Sequence, residues 1–136
     1  MKISIDVDGT LKKHPEFFLT FMKTFINDGH EVGIMTGRGS DVNIWIEKMV
    51  SENIFPQPMF VLTSSLYNND ERNMIGKELN NEVIVGHFKA RMMIEENIDI
   101  HFDDNSSYTR EWLRKWEQDI PKHIVFTSPT KKNVKL

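Results

Sequence analysis

Short apolar runs alternate with stretches of helical spacing along this chain, and that alternation restricts what it can fold into. Residues 2–6, Glu31–Thr36, Met59–Leu62, Ile98–Phe102 and His123–Thr127 read as buried strands. Between them, Glu16–Asn27 carries Phe17, Phe18, Phe21, Met22, Phe25 and Ile26 on one broad face. A second helix, capped by Ser40 or Asp41, carries Val42, Ile44, Trp45, Ile46, Met49 and Val50. A third is expected from near His87 to Asn97, and a fourth carries Tyr108, Trp112, Leu113 and Trp116 before Pro121 stops it. Strands alternating with helices in this way indicate an α/β fold with a mostly parallel sheet. The polar stretch from Ser64 to Asn81 reads as a loop or small excursion.

The chain has 136 residues, which fits one domain able to bury a real core. Its net charge of -3 gives it no overall attraction for polyanions. Lys131, Lys132 and Lys135 form a basic cluster in a tail, residues 128–136, beyond a core of residues 1–127. There is no cysteine, so disulfides, thiolate metal sites and a cysteine nucleophile are excluded. No apolar run reaches the length of a membrane span, and Asp6 and Asp8 interrupt any signal-like start, so a cytoplasmic protein is expected. The five histidines show no pair at metal-ligand spacing and read as structural or surface residues.

Open parallel sheets bind ligands at the carboxyl ends of their strands. Asp6, Thr36 and Asp103 each fall at such an end. A phosphate ester resists attack by a carboxylate unless a cation neutralises charge and donors hold its oxygens. Asp6 and Asp103 offer the hard oxygen ligands that Mg2+ takes. Thr36 offers a hydroxyl, Gly37 close backbone approach, and Lys89 a positive charge. Asp8 shares the parity of Asp6 in an extended chain. In this reading Asp6 stays ionised and attacks, while Asp8 is pushed towards protonation and serves as acid, then base. Arg38 stands either against a substrate anion or as an exposed loop residue.

These residues resemble the four motifs of the haloacid dehalogenase superfamily. Asp6-Val7-Asp8-Gly9-Thr10 is similar to the first motif and Ile34-Met35-Thr36-Gly37-Arg38 to the second. Lys89, with Lys77 as the weaker candidate, stands for the third, and His101-Phe102-Asp103-Asp104-Asn105 is similar to the fourth. The resemblance implies a three-layer Rossmann-like domain and a reaction through an aspartyl-phosphate on Asp6. It implies Mg2+ held by Asp6, the backbone carbonyl of Asp8, and Asp103, with Asp104 nearby. A second Asp in the first motif implies phosphoester rather than dehalogenase chemistry. Little chain is spare between motifs, so a minimal cap or none is expected. The resulting open site suits a macromolecular phosphate, or a cap lent by a second copy in a homo-oligomer.

The segment Phe102-Asp103-Asp104, followed by Trp112 and Arg114, also resembles the phosphatase half of bacteriophage polynucleotide kinases. The expected substrate is therefore a phosphomonoester: a nucleotide, a nucleic-acid 3′-phosphate or a small metabolite. Two alternatives remain on the same residues. One is a phospho-accepting signalling module like a two-component receiver, although the middle strand ends in Leu62-Thr63-Ser64 with no Asp. The other is a catalytically silent binding protein.

Overall fold

The computed structural model describes residues 1–39, 41–64, 79 and 81–116, together with the backbone of residues 123–126. Five strands form one sheet: β1 (Lys2–Ile5), β2 (Glu31–Met35), β3 (Phe60–Leu62), β4 (Ile100–Asp103) and β5 (His123–Phe126). Every pairing is parallel and the order is β3-β2-β1-β4-β5. The α-helices among the described residues are α1 (Pro15–Asn27), α2 (Asp41–Ser51), α3 (Asn81–Glu95) and α4 (Ser107–Lys115). This is the expected α/β, Rossmann-like arrangement, with the sheet more strictly parallel than the sequence required. A receiver-type sheet runs 2-1-3-4-5 instead, so the topology disfavours the signalling alternative.

The side-chain alternation of each strand divides the core in two. Ile3, Ile5, Val32 and Ile34 face α1 and α2, where Phe18, Met22, Val42 and Ile46 complete one buried cluster. Met35 and Leu62 face the other way and join Ile84, Phe88, Met92 and Met93 of α3 and Leu113 of α4. The chain changes direction at β1, which has β2 on one side and β4 on the other. The carboxyl ends of β1 and β4 therefore flank the crevice where such sheets bind ligands.

Helix α3 corrects the sequence reading. It begins at Asn81 rather than near His87, because Gly86 lies inside the helix instead of ending a loop. The glycine is explained by packing: an added Cβ would stand 2.6 Å from Tyr108 Cβ and 3.0 Å from that residue's carbonyl carbon, both on α4. Gly86 thus lets α3 and α4 approach closely, against the helix cost of glycine. Apart from Ser64, Leu79 and Asn81, the expected excursion from Ser64 to Asn81 lies outside the described residues, as do residues 117–122 and the tail at 128–136. No described helix is long and apolar enough to cross a membrane.

Replacing Gly86 by Ala should lower stability by about 1–3 kcal/mol, through overpacking against α4. Urea unfolding with an unchanged midpoint would contradict this account of the helix contact.

Candidate active site

Beyond β1 the chain makes one wide turn over Val7–Leu11, in which Leu11 N–H donates to the Asp6 carbonyl at 3.0 Å and Lys12 N–H to the Val7 carbonyl at 3.0 Å. These five-residue hydrogen bonds let Asp6 and Asp8 leave the strand end without continuing it. The turn requires Gly9, whose φ is +78°, and a side chain there would collide with the Asp104 carboxylate. Asp6 N–H donates to the Phe102 carbonyl at 2.9 Å, which docks the start of the turn on β4.

Asp6 and Asp103 lie one residue beyond, and at the end of, neighbouring parallel strands, and Lys89 reaches down to both from α3. Its ammonium donates to Asp6 Oδ1 at 3.0 Å and to Asp103 Oδ2 at 2.7 Å. All three side chains are buried. Asp103 is gripped further: Oδ2 accepts from His101 Nε2 at 2.9 Å and Oδ1 from the Asn105 N–H at 3.0 Å. Thr36, one residue beyond β2, is also buried, and its hydroxyl oxygen accepts the Arg38 N–H at 3.2 Å. That leaves the hydroxyl hydrogen to be given elsewhere.

The electrostatics follow from two buried carboxylates sharing one ammonium. Burial opposes charge on Asp103, but the His101 hydrogen bond and the Lys89 charge outweigh it and hold that carboxyl well below the usual range. Burial likewise opposes charge on Lys89, yet Asp6 and Asp103 together raise its pKa and keep it protonated. Asp6 takes the strain. Burial, reinforced by the Asp103 charge, raises it from 3.8 to about 7 against the pull of Lys89. Burial lowers the His101 pKa, which favours the neutral ring. Burial and the Asp103 charge raise Asp104.

The residues singled out in the sequence, Asp6, Asp8, Thr36, Gly37, Lys89 and Asp103, all line one cleft of about 410 Å³. Gly37 backs onto α3, where a side chain would meet Val85. Lys77 lies outside the described residues. Asp8 sits apart from the buried group, half-exposed at the mouth, 3.7 Å from Arg38. Burial therefore falls on Asp6, whereas the sequence reading expected Asp8 to be the carboxyl favouring its neutral form. Arg38 also pairs with Asp41 at 3.0 Å, a clamp the sequence did not signal. Ser4 was not singled out in the sequence, and His101 only as the first residue of the fourth motif; both share the strand parity of Asp6 and Asp103.

Carboxylate oxygens of Asp6, Asp103 and Asp104 lie within 4.8 Å of one another, close enough to hold one ion. The donor set is hard oxygen, and three carboxylates beside one ammonium leave surplus negative charge. Both features fit Mg2+ or a similar divalent cation, which would also draw Asp6 back to its ionised form. Asp8 contributes no carboxylate to this group, so any part it takes in metal binding would be through the backbone carbonyl implied by the resemblance.

No protein-family model matches this chain, and no curated protein sequence matches it. Among solved structures, its fold is similar to a chain from a Pnkp1/Rnl/Hen1 RNA repair complex. The match has a TM-score of 0.56 at 13% identity and covers 95% of this chain. This chain spans 43% of the length of that one.

The burial of Asp6 has a measurable consequence in chelator. The unfolded chain releases the Asp6 proton near pH 4, whereas the folded chain keeps it until about pH 7. The stability this group contributes is therefore fully present below about pH 4 and lost as pH rises towards 7. Relative to wild type, Asp6→Asn should gain on the order of 2–4 kcal/mol between pH 4 and pH 7.5 in urea unfolding. A difference that does not change with pH would refute the electrostatic assignment.

Proposed function

We propose that this protein is a Mg2+-dependent phosphomonoesterase that acts through an aspartyl-phosphate on Asp6. The observation that carries this reading is the convergence, on one cleft at the sheet's reversal point, of Asp6, Lys89, Asp103 and Thr36. An isolated strand-end aspartate needs no such company. A nucleophilic carboxylate does, because it must approach an anion.

In the proposed reaction an oxygen of ionised Asp6 attacks phosphorus. The bond from phosphorus to the ester oxygen breaks, and Asp8, as the acid, gives that oxygen a proton. Asp8, now a carboxylate, takes a proton from water, and the resulting hydroxide oxygen bonds to phosphorus. The bond from phosphorus to Asp6 breaks, which restores its carboxylate and releases inorganic phosphate. Mg2+ would be held by Asp6 and Asp103, with Asp104 close by, and would supply charge neutralisation for the phosphoryl oxygens. Lys89 adds a fixed positive charge and Thr36 a hydroxyl donor.

Asp8 suits the acid–base role because it stands at the mouth, where a leaving group and then water would enter. Arg38 holds Asp8 on one side and is itself held by Asp41. The burial of Asp6 supports a cation requirement: without a cation roughly half of the group is protonated near pH 7, and the protonated form cannot attack. For the substrate, the fold likeness to a chain of an RNA repair complex favours a nucleic-acid end over a small metabolite. The half-exposed mouth is compatible with so large a substrate.

The test is phosphate release from nucleotides, sugar phosphates and 3′- and 5′-phosphorylated oligonucleotides, with Mg2+ and with chelator. Turnover should require the metal and be fastest on an oligonucleotide end. Asp6→Asn should lower it at least about a thousandfold, and Lys89→Met about a hundredfold or more, with both proteins folded. Mg2+ binding without turnover of any ester would shift the reading to a silent binding protein.

A further inference from the structure

The buried polar chain continues behind Asp103, away from the cleft. Ser4 on β1 and His101 on β4 are register partners on the sheet face that also presents Asp103, with exposures of 0% and 1%. Burying a hydroxyl and an imidazole in mid-sheet is costly unless each polar atom finds a partner. Here each does. His101 Nδ1 lies 2.7 Å from Ser4 Oγ, and Nε2 lies 2.9 Å from Asp103 Oδ2.

The donors can be assigned from chemistry. An ionised carboxylate only accepts, so His101 Nε2 carries the hydrogen. In a neutral ring Nδ1 is then a lone pair, and the Ser4 hydroxyl must donate to it. The ring is held in one tautomer and one plane from both ends. Asp103 is in turn held at three points: His101 and Lys89 on Oδ2 and the Asn105 N–H on Oδ1. A carboxylate so tied cannot rotate about its side-chain bond without losing a buried hydrogen bond.

We infer that His101 is a positioning residue for the metal centre. Its Nε2–H holds the Asp103 carboxylate in the orientation that lets it share a cation with Asp6 and Asp104. The inference rests on the metal-dependent reading above. A merely structural role is distinct from it: joining β1 to β4 would use the Ser4–His101 bond, whereas positioning uses the His101–Asp103 bond.

The two side-chain amides separate these roles. In His101→Gln the amide nitrogen can stand near the Nε2 position and donate to Asp103. In His101→Asn a polar atom remains only near the Nδ1 position, beside Ser4. Mn2+ affinity, followed by electron paramagnetic resonance on the full chain with folding checked by circular dichroism, reads the metal site without turnover. His101→Gln should bind Mn2+ within about threefold of wild type, and His101→Asn about 10- to 100-fold more weakly. Equal affinities in the two variants, or a greater loss in His101→Gln, would overturn the positioning role. Wild-type protein that binds no Mn2+ would remove the metal reading and this inference with it. Wild-type binding that His101→Asn leaves unchanged would remove this inference alone. If His101→Asn does not fold, long-range 1H–15N NMR of the wild-type ring decides. A hydrogen on Nε2 supports the inference, and one on Nδ1 overturns it.

Discussion

One ammonium group shared by two buried carboxylates is the interaction on which the site depends. Lys89 bridges Asp6 and Asp103 across the junction of β1 and β4, and all three side chains are buried. Buried ionic groups of this kind contribute little net stability, and removing one partner is expensive because the others stay buried. Such a cluster is better understood through what it prepares. Asp103 is satisfied by His101, Lys89 and Asn105, whereas Asp6 has only half of Lys89 and bears most of the cost of burial. The site has one carboxylate fixed in its charged form and another that a cation would recharge.

Topology makes that bridge possible. Because the strand order reverses at β1, the ends of β1 and β4 become neighbours although nearly a hundred residues separate them in the chain. Helix α3 crosses the same face, and its apolar residues Ile84, Phe88 and Met92 seat it against the sheet so that Lys89 points to the strand ends. Gly86, one turn earlier, lets α4 close in behind, with Tyr108 against the glycine. The apolar core and the polar site are thus two consequences of one helix seating, and a shift of α3 would disturb both.

The burial asymmetry also bears on the proposed chemistry. Asp8, exposed at the cleft beside Arg38, stands where it can exchange protons with substrate and solvent, whereas Asp6 is buried on the cleft floor. A nucleophile benefits from a dry floor and an acid–base group from a wet rim, so the positions match the proposed roles. The likeness to a chain of an RNA repair complex concerns the fold, and it gives the oligonucleotide substrates their place in the proposal.

Much of the fold was legible because apolar spacing and capping are local. The strand cores and the Phe-rich face of α1 follow from side chains a few residues apart. So did the candidate residues at strand ends, since a parallel sheet brings such ends to one edge. The start of α3 was not legible, because Gly86 reads locally as a helix breaker and only contact with α4 explains it. Ser4 and His101 read as unremarkable polar residues because each acquires its partner from a distant strand. The sequence by itself determined the α/β class, the residues at the strand ends and the absence of thiol chemistry. Only the tertiary structure decided which carboxylate is buried and which exposed, and that Lys89 binds both Asp6 and Asp103. Charge and burial depend on every neighbour in space, and those neighbours come from segments far apart in the chain.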